Sequence, residues 1–322
     1  KNINCFAISG FNCDLVNLRG NISYSKKING SDIQFKFFKN IFKNISRKEI
    51  IKFRKEGKKI IQNIISGKKK YYYLKNSSFN NKKNFGTKNS KNRIKVVIFA
   101  HDFIDSPHIY GNHFFSDFNQ WFDFLNQTIK KTDYDWYIKD HPVSSFLTKK
   151  KINELLKENK NLKLIKKDFP NNKLKFLGIQ FVLTVYGTVA SELPMYNIKV
   201  INASKNQPHA DFNFSINPKN LDDYKKLIMN LKNNRFKIDK KQLYSYHYIK
   251  DIFSKKHLFF EKQEKYFGYL GNKPLRFTPT VYKYWLGDFN FKRHNQILKN
   301  LEKFINEEKY SYTINKKLEI LD

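Results

Sequence analysis

Short apolar segments alternate with amphipathic segments from residue 94 to residue 202, and this alternation limits the fold more than any other feature of the chain. The apolar segments have the length of buried strands, and the amphipathic ones have helical spacing. Strands are predicted at 94–100, 136–139, 162–165, 181–185 and 199–202, and helices at 117–129, 146–158, 171–177 and 188–196. The pattern predicts an α/β fold with a doubly wound parallel sheet and right-handed crossovers. Ligands of such sheets bind beyond the carboxyl ends of the strands.

The composition indicates a folded and strongly basic protein. Of the 322 residues, 40% are hydrophobic and 16% are aromatic, which is enough for two domains with packed cores. The net charge of +34 favours a polyanionic partner, such as nucleic acid or an anionic membrane surface. Lysines are spread along the whole chain, however, so a compositional bias accounts for much of the excess. No apolar run approaches the roughly 18 residues that cross a bilayer, and we expect no transmembrane helix.

The cysteines indicate neither a metal site nor a disulfide framework. Cys5 and Cys13 are the two cysteines of the chain, and neither belongs to a CxxC pair or to a zinc-type His spacing. We therefore predict a cytoplasmic protein without a bound metal or cofactor. The chain begins at Lys1, so we expect the natural start to lie upstream; no signal peptide is visible.

The segment from residue 181 to residue 202 resembles an anion-binding turn. Gly187 allows a sharp turn after a buried strand, and Thr188 and Ser191 are suited to capping the amides of the helix that follows. The positive end of that helix favours a phosphate, and Glu192 is suited to accepting hydrogen bonds from ribose hydroxyls. Ordinary helix capping is the alternative interpretation. Pro194 is expected to shorten or kink the helix.

Two further groups of polar residues follow predicted strands. Lys139 and His141 lie in IKDHP, where an imidazole can hydrogen-bond a phosphate or protonate one as it leaves. An incidental histidine in a strand-ending turn is the alternative. The segment AHDFIDSPHIYG, at the end of the strand at 94–100, contains two imidazoles and two carboxylates. They could serve as base, sugar ligands or metal ligands, and they belong to His101, Asp102, Asp105 and His108. Their spacing matches no metal motif, and turn capping is an equal alternative.

Four segments in this order resemble the capsule polysaccharide biosynthesis glycosyltransferases: HDFIDSPHIYG, FSDFNQWF, IKDHP and LTVYGTVASELPMYNIKVIN. This GT-B family includes bacterial Kdo transferases and is similar to polysialyltransferases and CDP-glycerol polymerases. The resemblance implies that His141, Thr188 and Ser191 contact the phosphate of a cytidine nucleotide and that Glu192 contacts its ribose. It also implies that the base activating the acceptor belongs to the amino-terminal domain, in which we find no matching residue.

The resulting prediction is a glycosyltransferase of surface polysaccharide biosynthesis with a cytidine-activated donor. We assign His141, Asp102 and Asp105 to catalysis. The nucleotide and phosphate residues are Lys139, Gly187, Thr188, Ser191 and Glu192, and the donor-sugar contacts are His101 and His108. The predicted partners are the nucleotide-sugar donor, a glycan or lipid-linked acceptor and the anionic inner face of the membrane, without specific nucleic acid. A CDP-alditol phosphotransferase of teichoic-acid type and a basic nucleic-acid-binding protein are the alternatives.

We predict three regions in the chain. Residues 1–93 form a short or truncated amino-terminal, acceptor-side segment with a helix near 45–65 and a Lys- and Asn-rich linker at 66–93. Residues 94–257 form a GT-B-like, Rossmann-like nucleotide-sugar-binding domain, in which further helices are predicted at 222–231 and 240–253. Residues 258–322 form a helical extension that contains a long helix near 295–307.

Overall fold

A computed structural model describes residues 6–9, 14–17, 45–68, 79, 93–104, 114–205, 207–253, 269–270, 273–274, 278–306 and 311–312. The strands are β1 (Phe6–Ser9), β2 (Asp14–Asn17), β3 (Lys95–Phe99), β4 (Asp135–Lys139), β5 (Leu162–Ile165), β6 (Phe181–Thr184), β7 (Lys199–Asn202), β8 (Tyr269–Leu270), β9 (Lys273–Pro274) and β10 (Ser311–Tyr312). The α-helices are α1 (Arg47–Ile65), α2 (Phe118–Lys131), α3 (Phe146–Glu158), α4 (Leu221–Met229), α5 (Lys240–Tyr248), α6 (Thr280–Gly287) and α7 (Phe291–Asn306).

The central sheet has five parallel strands in the order β5-β4-β3-β6-β7. The first of these five strands along the chain, β3, lies in the middle, and the later strands extend the sheet on both sides. Val97 of β3 is therefore paired with Tyr137 on one side and with Val182 on the other. This order confirms the predicted α/β fold with a doubly wound parallel sheet. The direction of winding changes between β3 and β6, which places the crevice of such a sheet at the carboxyl ends of these two strands.

Both faces of the sheet are buried, which explains why its strands are almost continuously apolar. Because side chains alternate along a strand, Val96 and Ile98 face one core and Val97 faces the other. The first core is completed by α2, α3 and α4, and Phe118, Trp121 and Phe122 of α2 are buried in it. The second core is completed by short 3₁₀ turns rather than by α-helices.

Helices α1 and α5 pack against each other at a close crossing. Ser46 caps α1 through a reciprocal pair with Glu49, as its sequence Ser-x-x-Glu predicts. The buried apolar side chains of α1, Phe53, Ile61 and Ile64, lie on one face. Gly57 lies on the same face, and a Cβ atom at this position would stand 1.9 Å from the carbonyl oxygen of Tyr244. The crossing therefore requires a residue without a side chain.

Several helical predictions were wrong in type or extent. The helix predicted at 188–196 is two 3₁₀ turns, Thr188–Ser191 and Leu193–Tyr196, whereas the short helix predicted at 171–177 has the predicted bounds and is 3₁₀ in type. Pro194 explains the first difference, because it has no amide hydrogen and its ring restricts the residue before it. The helix predicted at 240–253 ends at Tyr248 and continues as a π turn, Ile249–Phe253. The long carboxyl-terminal helix begins earlier than predicted, at Phe291.

Strands outside the central sheet had not been predicted. The strands β1, β2 and β10 form an antiparallel sheet, so a segment near the amino terminus pairs with one near the carboxyl terminus. The linker predicted at 66–93 lies mostly outside the described residues. Among the residues that are described, no helix combines the length and the apolar character needed to cross a membrane.

Candidate functional site

The central strands β4, β3 and β6 end side by side, and each is followed by predicted site residues. His141 follows β4, His101 and Asp102 follow β3, and Gly187 follows β6. Asp105 and His108 lie outside the described residues, so their positions stay predictions. Hydrogen bonds join two of these strand ends, since His101 contacts Thr184 of β6 and Thr184 contacts the Gly187 amide.

His101 connects the ends of β3 and β6. Its Nε2 atom lies 2.9 Å from Thr184 Oγ1 and accepts a hydrogen bond of 3.1 Å from the backbone amide of Val185. The acceptor role of Nε2 indicates the tautomer in which Nδ1 carries the proton. The ring is 8% exposed and stacks on Phe118 at 4.9 Å between centroids. His101 thus joins the two strands at the point where the winding of the sheet changes.

Asp102 binds the first turn of α3. Its Oδ1 accepts hydrogen bonds from Ser145 Oγ at 2.5 Å, Thr148 Oγ1 at 2.6 Å and the Ser145 amide at 3.1 Å. Burial alone would raise the pKa of Asp102, but these three hydrogen bonds and the nearby charge of His141 outweigh it, and the net pKa is lowered. Asp102 is therefore an ionised carboxylate at the positive end of a helix. The sequence had not revealed Ser145 and Thr148 as its partners.

His141 is the accessible histidine of the edge. Of the five histidines among the described residues, four are buried and His141 is half-buried. Its Nδ1 faces the backbone of Val143, 2.9 Å from the carbonyl oxygen and 3.3 Å from the amide nitrogen. Within the described part of the chain its Nε2 makes no hydrogen bond. A neutral ring that accepts from the Val143 amide, or an imidazolium that donates to the carbonyl, leaves a proton on Nε2 for an anion.

Lys139 and Glu192 are buried and lie near each other. The Lys139 ammonium is 3% exposed and donates to the carbonyl oxygen of Phe169, at 2.7 Å, and to Asn171 Oδ1. Burial lowers the pKa of Lys139 to about 8, although the charges of Glu192 and Asp168 raise it in part. To reach a phosphate in the crevice, the ammonium would have to leave Phe169 and Asn171.

The Gly187 turn differs in detail from its prediction. Gly187 has φ of −67°, so positive φ is not the reason for a glycine here. A Cβ atom at Gly187 would lie 2.7 Å from Thr184 Oγ1, the same hydroxyl that accepts from the Gly187 amide at 3.1 Å. Thr188 is exposed and caps nothing, whereas the buried Ser191 hydroxyl donates back to the Thr188 carbonyl at 3.0 Å. The predicted capping by Thr188 and Ser191 was wrong, because the α-helix that it required does not form.

A buried histidine that the sequence analysis missed holds this turn from behind. His247 of α5 is fully buried, and its Nε2 lies 2.8 Å from the Ser191 carbonyl oxygen. Its Nδ1 lies 3.4 Å from Asp251 Oδ2 in the π turn. The spacing of His247 and Asp251, four residues apart in a predicted helix, was the available signal.

Buried acceptors lie next to the end of β7. Asn202 donates through its Nδ2 to His209, Ser215 and Asn217, while its Oδ1 has no hydrogen-bond partner among the described residues. Burial lowers the pKa of His209 to about 3, with smaller effects from the charges of Lys250 and His247, so this ring is neutral and can accept. Among the described residues, no group of three or more His, Cys, Asp or Glu side chains is arranged to hold a metal ion.

Comparisons with known proteins leave the family of the chain open. No protein-family model matches the sequence, and no curated protein sequence matches it. Among solved structures, the chain is similar to KpsC of Thermosulfurimonas dismutans, a beta Kdo 2,4 transferase, with a TM-score of 0.40 and 12% sequence identity. The match covers 73% of this chain and 64% of KpsC, which is less than two thirds of that protein. A likeness of this size does not establish a shared fold or activity.

Proposed function

We propose that the carboxyl edge of the sheet binds a nucleotide-activated sugar and that the protein is a glycosyltransferase of surface polysaccharide biosynthesis. The observation that carries the proposal is the pair of hydrogen bonds that joins His101, Thr184 and Gly187 across the switch point of the sheet, with Asp102 and His141 beside it. His141 lies near Asp102, His101 binds Thr184, and Thr184 binds the Gly187 turn. Ligands of doubly wound sheets bind at this point. The resemblance of the same segments to capsule glycosyltransferases implies a cytidine nucleotide donor, of the CMP-Kdo or CMP-sialic acid type.

His141 is proposed to bind the phosphate of the donor. A proton on its Nε2 forms a charge-assisted hydrogen bond with a phosphate oxygen, and that bond strengthens as charge develops on the leaving group. The acceptor hydroxyl attacks the anomeric carbon, the bond from that carbon to the phosphate oxygen breaks, and CMP leaves with the bonding electrons. The proton of the acceptor hydroxyl passes to a base. Asp102 and Asp105 are the carboxylates assigned to catalysis, whereas the resemblance implies a base in the amino-terminal domain.

The Gly187 turn is proposed to bind the nucleotide from the other side of the crevice. The exposed Thr188 hydroxyl is accessible to a phosphate. Glu192, four residues further along the chain, is proposed to contact the ribose of the nucleotide. His101 is buried against Thr184 and Phe118, so the contact that it makes in the described structure is with the scaffold. The ionised Asp102 carries a negative charge close to His141.

Nucleotide titration tests the donor class. Isothermal titration calorimetry with CMP, CDP, UDP and GDP is expected to show binding of the cytidine nucleotides in preference to the other two. His141→Ala is expected to weaken CMP binding by about 10- to 100-fold, the worth of a hydrogen bond to a charged group. It should also abolish turnover without changing the circular dichroism spectrum. Val143→Ala, beside it in the same exposed turn, is the control and should bind as the wild type does.

Two results would contradict the proposal. Equal affinity for all four nucleotides would contradict the assignment of a cytidine donor. Unchanged CMP binding and turnover in His141→Ala would contradict the proposed phosphate contact of this residue. The alternative reaction, transfer of an alditol phosphate, uses attack at phosphorus and also releases CMP. Release of CMP from a CDP-alditol and never from a CMP-sugar would establish that alternative.

A further inference from the structure

The helices α6 and α7 near the carboxyl end of the chain expose a row of large apolar side chains. Phe291, Leu298 and Ile305 of α7 are 75%, 60% and 43% exposed. They are seven residues apart, so they lie in line along one face of the helix. The adjacent face is packed, because Ile297 and His294 are 6% and 8% exposed. We call the line of Phe291, Leu298 and Ile305 the outer row of α7.

Lysines lie beside the outer row. Lys292 and Lys299 each follow a residue of the row by one position, and Lys303 lies one turn beyond Lys299; all three are exposed. Lysine stems can cover neighbouring apolar surface while their ammonium groups reach toward an anionic partner. The helix therefore has an apolar row with positive charge along one side, and the exposed Glu302 lies between Leu298 and Ile305. This arrangement is typical of helices that lie in the interfacial plane of a membrane.

The preceding helix adds aromatic and apolar side chains to the same region of the chain. In α6, Tyr282 and Leu286 are 68% and 65% exposed and lie one helical turn apart. Phe289, between the two helices, is 54% exposed. Tyrosine is enriched at membrane–water interfaces because one end of its side chain is apolar and the other is polar.

We propose that the outer row of α7, with its lysines and the exposed side chains of α6, docks on the surface of an anionic lipid bilayer. Charge complementarity selects the bilayer over a second copy of this chain. Two α7 helices packed along the outer row would bring their lysines together, and Glu302 is the one acidic residue of α7 that could offset them. An anionic lipid surface attracts each of these lysines. The proposal is independent of the nucleotide donor.

The experiment is flotation of the full chain with lipid vesicles. One set is phosphatidylcholine alone, and the other is phosphatidylcholine mixed with phosphatidylglycerol. The wild type is expected to bind the anionic vesicles at least about 10-fold more tightly than the neutral ones. The triple variant Phe291→Gln, Leu298→Gln, Ile305→Gln is expected to lose at least about 10-fold in affinity for the anionic vesicles. Its control removes equally exposed apolar side chains elsewhere: Ile51→Gln, Leu164→Gln, Phe176→Gln.

A second pair of variants separates local charge from total charge. We expect the affinity for anionic vesicles to fall about 100-fold in the triple variant Lys292→Gln, Lys299→Gln, Lys303→Gln. Each lysine near an anionic surface contributes about a factor of 5 to this affinity. The control is the triple variant Lys52→Gln, Lys55→Gln, Lys59→Gln on α1, which removes the same charge. Its affinity for anionic vesicles should fall less than about 3-fold. Circular dichroism checks that all variants fold.

Three outcomes would overturn the proposal. In the first, the wild type shows no preference for anionic vesicles. In the second, either control variant loses as much affinity for anionic vesicles as the variant it is matched with. In the third, light scattering shows a wild-type dimer that is absent in the outer-row variant, while vesicle binding is unchanged. The last result would assign the surface to a second copy of the chain.

Discussion

Lys139 shows how a single buried charge can be part of the scaffold. Its ammonium lies among a carbonyl oxygen, an amide oxygen and the Phe99 ring, whose centroid is 5.5 Å away. Removal from water disfavours the charged form, which is why its pKa falls to about 8 against the ordinary 10.5. The nearby charge of Glu192 opposes this effect. The residue therefore makes the stability of the protein depend on pH above neutrality.

Replacement of Lys139 by methionine should change the pH dependence of unfolding. Between pH 8 and 10.5 the unfolded chain binds a proton at Lys139 that the folded chain has released, so stability from this group rises with pH. The free energy of unfolding of the wild type, minus that of Lys139→Met, should rise by roughly 3 kcal/mol across this window. Urea denaturation at both pH values measures it. Lys150→Met, at an exposed lysine, is the control, and its difference from the wild type should not change with pH. If the difference for Lys139→Met also stays constant between pH 8 and 10.5, the assigned pKa is contradicted.

At the scale of elements, local sequence set the bounds of some helices and strands, whereas tertiary contacts changed the type or extent of others. The helix Phe146–Glu158 and the strands Leu162–Ile165 and Lys199–Asn202 have the bounds that the sequence predicted, because caps and apolar segments define them locally. The segment 188–196 has helical spacing but forms two 3₁₀ turns, since Pro194 interrupts the hydrogen bonds and Glu192 is drawn into the interior. The helix predicted at 240–253 continues past Tyr248 as a π turn, and Asp251 lies beside His247, as their spacing of four residues indicates.

The crossing of α1 and α5 supplies a test at this scale. Gly57→Ala should destabilise the protein by about 1–3 kcal/mol, since its Cβ would lie 1.9 Å from the Tyr244 carbonyl oxygen and the two backbones must separate. Helix propensity alone would favour alanine by about 1 kcal/mol, so the sign of the effect decides between the two influences. Thermal and urea denaturation measure the change.

Gly287→Ala is the matched control for that variant. Apart from its chain neighbours and the backbone of its own helix, no atom of the described residues lies within 4 Å of a Cβ atom built at Gly287, in the last position of α6. The control should therefore be neutral or slightly stabilising. Stabilisation of similar size in both variants would show that the crossing has room for a side chain.

At the scale of the whole molecule, the net charge of +34 is the dominant property. A field of this strength attracts any polyanion, so binding to DNA in dilute salt is expected whatever the protein does. It follows that affinity for nucleic acid, by itself, does not identify the function. The dependence on salt and on sequence separates a general attraction from a specific site.

Duplex DNA is expected to bind weakly and without sequence preference. Its affinity should fall by at least about 100-fold between roughly 50 and 200 mM salt, since counterion release is the driving force. Fluorescence anisotropy with two unrelated duplexes and one single strand measures this. A neutral polymer competitor such as dextran should have no effect. Tight binding to one duplex that persists near 200 mM salt would instead establish the nucleic-acid-binding alternative.

The sequence by itself determined the class of fold and the edge of the sheet at which polar residues gather. Apolar runs of strand length, separated by helices, leave few arrangements other than an open parallel sheet, and residues that follow such strands must lie at one edge. Only the tertiary structure decided what each of those residues touches. The order of the strands brings His101 to Thr184, and the packing behind β4 buries Lys139 near Glu192. These contacts join residues tens of positions apart, so the free energy that selects them comes from long-range packing and burial rather than from local sequence.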